Sequence, residues 1–197
     1  MNREELDKII EYIASSGDIQ LSDIPCIDLY VDQVTTLFDD KLADTKRQAS
    51  DKILTKTMIN NYTKAKAVMP PKNKKYGRNH IILLSLIYNL KQILSINDIK
   101  TLLTPLLGGI NPSKGNERFD LDELYSNYLE IKREDLNNLP QQFNDMLNHI
   151  ADKSAALNSS SNGKAELMLL VLTLANQAAT SKRLAEMIID EFLKPGL

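Results

Sequence analysis

The chain has no tryptophan, one cysteine, two histidines and only seven glycines among its 197 residues. Each scarcity removes a class of protein. A single thiol, Cys26, cannot build a disulfide framework and is expected to be a small core residue in a reducing compartment. His80 and His149 stand outside any HExxH motif, no G-x-S-x-G segment occurs, and Cys26 lacks the companions a thiolate metal site needs. No catalytic residue, metal ligand or cofactor is therefore assigned, and the chain reads as a protein that is not an enzyme. Scarce glycine and absent tryptophan favour helices over a turn-rich sheet. The most apolar runs, Ile81–Tyr88 and Leu167–Leu174, fall far short of a membrane span. The N-terminus opens Asn-Arg-Glu-Glu, acidic and amphipathic, so no signal peptide is expected. The expected location is the cytoplasm, with no membrane partner.

What is present is charge, unevenly placed. The formal net charge is −2, yet between Lys41 and His80 eleven Lys and Arg are set against only Asp44 and Asp51. That window carries +9 and the remainder of the chain −11, with −8 in residues 1–40 alone. Such segregation on an acidic body is the electrostatic footprint of a surface that meets a polyanion.

Apolar spacing supplies the elements. Residues 2–15 read as an amphipathic helix with Leu6, Ile9, Ile10 and Ile13 on one stripe, and with Asn2 and Glu5 at capping-box spacing. A second helix is expected from Asp28, carrying Leu29, Val31, Val34, Leu37 and Phe38. Thr55 is the expected N-cap of a third over 56–68. On that helix Met58, Ile59, Tyr62 and Ala65 gather on one side, and Lys56, Thr57, Asn60, Asn61 and Lys64 on the other. The second set are the side-chain types that read a major groove: Asn for adenine, Lys for guanine or phosphate, Thr for either. A solvated polar face is the plainer meaning of the same pattern.

Pro70-Pro71 should end this helix. The following Lys72-Asn73-Lys74-Lys75-Tyr76-Gly77-Arg78 packs three Lys and one Arg into seven residues, suited to phosphate contacts from a wing hairpin. Tyr76 either hydrogen-bonds a phosphate or packs beneath the wing. The helix after His80 is apolar nearly all round and should be the central core element, with His80 a helix-start residue rather than a ligand. Ser95 and Asp98 form an S-x-x-D box opening a helix to about Leu107, closed by Pro105 and Gly108-Gly109. A polar linker is expected over 109–117, then helices over 119–132 and 135–156, the second opened at Pro140. Residues 164–193 form one long helix, or two divided near 176–181.

The run from Leu54 through Met69-Pro70-Pro71, the basic wing with Tyr76, and the Leu94-Ser95-Ile96-Asn97-Asp98-Ile99 helix start together resemble the winged-helix DNA-binding domain of MerR-type bacterial regulators. The longer pattern from Ile24-Pro25-Cys26-Ile27-Asp28-Leu29-Tyr30 to Asn60-Asn61-Tyr62-Thr63-Lys64 resembles an uncharacterised bacterial family, domain of unknown function 1836, over roughly residues 24–107. The chain departs from the MerR pattern in its longer first helix and in the basic connector Lys41–Lys52, where that family has a strand-like pair and a short turn.

The resemblance implies an all-α fold with a small β wing: an N-terminal helix (1–19), a MerR-like winged helix-turn-helix domain (20–108), a linker (109–117) and a C-terminal helical bundle (118–197). The implied function is sequence-specific transcriptional regulation. Helix 56–68 would lie in the major groove of double-stranded DNA through Lys56, Thr57, Asn60, Asn61 and Lys64. The wing would hold phosphates through Lys72, Lys74, Lys75, Tyr76 and Arg78. The C-terminal region would supply a homodimer interface, a pocket for an unidentified small-molecule effector, or both. The competing expectation is a helical interaction module that docks its basic stretch on an acidic protein.

Overall fold

The computed structural model describes residues 3–110, 120–154 and 163–194. In chain order these form α1 (Arg3–Ala14), β1 (Leu29–Tyr30), α2 (Val31–Lys41), α3 (Lys56–Lys64), β2 (Lys75–Tyr76), α4 (Arg78–Leu90), α5 (Ile96–Ile110), α6 (Leu121–Ser154) and α7 (Lys164–Ile188). A π-helical turn, Ile189–Leu193, continues α7. The protein is mostly helical. Among the described residues its sheet is one antiparallel pair, Leu29 opposite Tyr76 and Tyr30 opposite Lys75. No described helix is long and apolar enough to cross a membrane.

Two compact units divide the chain. One joins Gly17–Leu129 with Glu186–Leu197, and the other joins Met1–Ser16 with Glu130–Ala185. The larger unit is built on α4, whose residues Ile81 to Ile87 are all buried, as its all-round apolar pattern requires. Val34 and Phe38 of α2, Ile59 of α3, Ile99 and Leu103 of α5, and Tyr125 of α6 are buried in the same unit. Each full burial of such a side chain is worth about 1.5–3 kcal/mol. The Tyr125 hydroxyl donates to the Ile19 carbonyl at 2.7 Å, tying the opening of α6 to the chain before β1. The larger unit therefore takes in the expected 20–108 domain and also the first turns of α6.

In the smaller unit Ile10 packs with Phe143, Leu147, Ile150 and Leu170. Arg3 Nη2 donates to Asn148 Oδ1 at 3.3 Å. Of the expected α1 stripe only Ile10 is buried; Leu6 packs at the cluster's edge, and Ile9 and Ile13 stay exposed.

Several element limits differ from expectation, and at α2 and α6 tertiary contacts outweigh a local signal. Helix α2 begins at Val31 rather than Asp28, since Leu29 and Tyr30 are extended and pair with β2. The Tyr30 N–H donates to Gln33 Oε1 at 2.8 Å and closes the start of α2. Pro105 and Gly108-Gly109 do not end α5, which runs to Ile110. Residues 119–132 and 135–156 are not two helices. A single 34-residue α6 runs through Pro140, with Leu129 buried before it and Phe143 and Leu147 after it. An interior proline costs about 3 kcal/mol, an amount that a few buried side chains offset. Helix α7 is continuous across 176–181. Cys26 is exposed rather than in the core, because Ile24 and Leu29 on either side carry the burial of that stretch. The expected linker lies outside the described residues from 111 onward, as does Asn2 of the expected capping box.

Candidate nucleic-acid interface

Thr55 caps α3, its Oγ1 accepting from the Met58 N–H at 3.2 Å. Ile59 is fully buried and fixes the helix's rotation about its axis. Met58 and Tyr62 are half-buried beside it, so Lys56, Thr57, Asn60, Asn61 and Lys64 all face out and are exposed. The helix stops at Lys64, four residues short of the expected end at Val68. Lys66 takes a left-handed conformation (φ 61°). Its N–H donates to the Thr63 carbonyl and the Ala67 N–H to the Tyr62 carbonyl, each at 3.0 Å. This is a Schellman stop, in which a lysine occupies the place glycine usually takes. It turns Ala67 and Val68 into the core, where both are buried, and so Pro70-Pro71 is not what ends the helix.

The basic segment is shorter as a wing than its sequence suggests. The Lys72 N–H donates to the Lys75 carbonyl at 3.1 Å and the Lys75 N–H to the Lys72 carbonyl at 3.0 Å. Asn73 (φ 53°) and Lys74 (φ 64°) occupy the two central positions, the geometry of a type I′ turn. Lys72, Asn73 and Lys74 are exposed at its tip. The strand that follows pairs with β1 instead of a second wing strand, and α4 begins already at Arg78.

His80 fastens this loop at both ends. Its Nδ1 accepts from the Gly77 N–H at 3.1 Å, and its Nε2 lies 3.3 Å from the Pro70 carbonyl, which it can reach only as a donor. Those partners specify the neutral ring protonated on Nε2. Burial is the largest influence on the ring and holds its pKa below the ordinary value, with the Pro70 carbonyl and the Asp28 carboxylate acting the other way.

The remaining wing candidates are engaged inside the protein. Tyr76 is buried and meets His80 edge-on at 5.4 Å between ring centroids, so of its two expected roles the structure shows packing. Lys75 is half-buried with its ammonium 5.2 Å from the centre of the Tyr30 ring. Arg78 Nε donates to Asp122 Oδ2 at 2.7 Å and its Nη1 to the Leu21 carbonyl at 3.1 Å, so the guanidinium braces α4 against α6. Lys56 reaches Asp32 at 2.6 Å with both side chains more than half exposed. That contact places the start of α3 beside the start of α2, and the β1–β2 pairing places the wing beside the same point. Among the described residues no group of three or more His, Cys, Asp or Glu is placed to hold a metal ion.

The family model described as Domain of unknown function (DUF1836) matches residues 19–128. The chain belongs to that family. No curated protein and no solved structure matches it. The DUF1836 stretch nearly coincides with the Gly17–Leu129 segment of the larger unit, so the family pattern describes a packed body rather than an arbitrary span. It contains α3, the wing and every candidate DNA-binding residue named from the sequence. Two features of this DUF1836 segment were missed in the sequence: the left-handed Lys66, exposed just past α3, and a basic cavity formed by the connector before α3 and the end of α4. The charge count signalled the connector but not where its side chains converge.

Proposed function

We propose that the protein is a sequence-specific DNA-binding transcriptional regulator, with α3 in the major groove and the wing tip on the flanking backbone. One observation carries this reading. Lys56, Thr57, Asn60, Asn61 and Lys64 of α3 are all exposed, while Ile59 on the opposite face is buried. The exposed Lys72 and Lys74 of the wing are held close to that face through the start of α2. Asn60 and Asn61 are then positioned for base edges, and Lys56, Lys64, Lys72 and Lys74 for phosphates. Tyr76 and Arg78 support this surface from within. The arrangement fits the MerR-like winged helix-turn-helix that the sequence resembles.

A homodimer on a two-fold symmetric site belongs to the proposal. Its support is the exposed apolar run Leu167, Met168, Val171, Leu172 and Leu174 on α7, which water covers poorly in a single copy.

The test is fluorescence anisotropy of a labelled random duplex at two salt concentrations. Each phosphate contact contributes about 0.9 log unit of affinity per log unit of salt. The double variant Lys72→Ala/Lys74→Ala should lower the slope by roughly two such contacts. Asn60→Ala or Asn61→Ala should cost about 1–3 kcal/mol on a site selected from a random pool and little on random duplex. No association with duplex in low salt would refute the reading and leave the acidic-protein partner in its place.

A further inference from the structure

The connector between α2 and α3 and the end of α4 enclose a half-open polar cavity of about 330 Å³. Four cations line it, Lys46, Arg47, Lys52 and Lys91, against one carboxylate, Asp51. One of those cations is already answered by a carboxylate. Lys46 pairs with Asp39 at 3.2 Å, and the Asp51 carboxylate accepts from the Gln48 N–H at 2.9 Å. Arg47 and Lys52 are exposed at the mouth. Lys91 is half-buried, donates to the Ile53 carbonyl at 2.9 Å, and lies 4.9 Å from the centre of the Tyr88 ring. A carbonyl and an aromatic face orient an ammonium but do not neutralise it. Burial accordingly lowers the Lys91 pKa. The cavity thus collects positive charge that its own lining does not balance.

We propose that this cavity binds a phosphate-like oxyanion through Arg47, Lys52 and Lys91. A guanidinium fork with two flanking ammonium groups matches a multiply charged tetrahedral anion better than a single carboxylate. The volume falls at the lower end of small-ligand sites and leaves room for more than a bare ion, as a phosphate monoester would need. The phosphate could also belong to a nucleic-acid backbone, because Ile53 lies two residues before the Thr55 cap of α3. The proposal itself stands without any duplex binding.

Inorganic phosphate titrated into the full chain by calorimetry, with sodium chloride matched for ionic strength, tests it. Saturable binding to the native chain is expected, weakened about tenfold or more in Arg47→Ala/Lys52→Ala. Both substituted side chains are exposed, so the fold should survive, and circular dichroism checks that it does. Phosphate that binds no better than chloride, or equally well in the variant, overturns the proposal. The source of the phosphate is read from duplex binding by the same variant. A salt slope lowered by about 1.8 assigns the cavity to a backbone phosphate, and an unchanged slope assigns it to a free phosphate compound. Should the chain bind no duplex at all, the phosphate titration still decides the cavity alone.

Discussion

Replacing His80 by Leu should separate the wing from the helix that carries it. The imidazole provides the Gly77 N–H with an acceptor at 3.1 Å and the Pro70 carbonyl with a donor at 3.3 Å. Leucine fills similar space with neither function. Leaving a buried polar group unpaired costs about 1–3 kcal/mol, so two such groups, partly reached by water once the loop relaxes, cost roughly 2–4 kcal/mol. The pH dependence has a definite sign. Burial lowers the folded-state pKa of His80 below the ordinary 6.5. Below that ordinary value the unfolded chain binds a proton that the folded chain resists, so the unfolded state holds more protons and stability falls as pH falls. The contribution is complete above pH 6.5 and disappears as pH drops through the folded value. Urea denaturation followed by circular dichroism at pH 8 and pH 5 measures both effects. The native chain should be more stable at pH 8, and His80→Leu should lose both overall stability and part of that difference. A variant with the native midpoint, or with the native pH difference intact, would refute the two-ended clamp.

Tyr125→Phe should cost about 1–3 kcal/mol in the same assay, because it strands the Ile19 carbonyl that now accepts at 2.7 Å. Burial raises the pKa of Tyr125 above its ordinary 10.0, so its contribution is complete below pH 10 and is lost as pH rises toward the folded value. The phenylalanine variant should show a smaller alkaline loss, and an identical one would count against the buried hydroxyl. Lys74→Gly should move stability and duplex binding in opposite directions. Relief of the left-handed backbone at φ 64° should add about 0.5–1 kcal/mol, set by the conformational cost less glycine's entropy. The loss of one cation should lower the salt slope by about 0.9. A variant that loses stability would dispute the type I′ turn, and one that keeps the full slope would remove Lys74 from the interface.

Much of this was legible before any fold was known. The all-round apolar run after His80 announced a buried helix, and α4 is that helix. Thr55 and the Ser95–Asp98 box marked two helix starts, and in each the first hydroxyl accepts from the backbone N–H three residues on. These signals are local, the two caps complete within four residues and the apolar run within one helix, so no distant partner was needed to read them. The errors share the opposite property. In isolation Pro105 looks like a helix stop and Pro140 like a helix start, yet α5 and α6 pass through them. The end of α3 was misplaced because a lysine in left-handed geometry gives no compositional warning.

Sequence by itself determined the helical character, the clustering of positive charge before α4, and the two-sided partition of α3. These follow from periodicity and composition, which depend on neighbours along the chain. Only the tertiary structure decided which of the clustered cations face water. Lys72 and Lys74 project from the wing, Lys75 lies over Tyr30, Arg78 is held by Asp122, and Lys91 joins Arg47 and Lys52 around one cavity. The reason is that a charge's partner is chosen by proximity in space: Asp122 lies 44 residues from Arg78, and Ile53 lies 38 from Lys91. No pattern confined to neighbouring residues encodes a meeting at that distance.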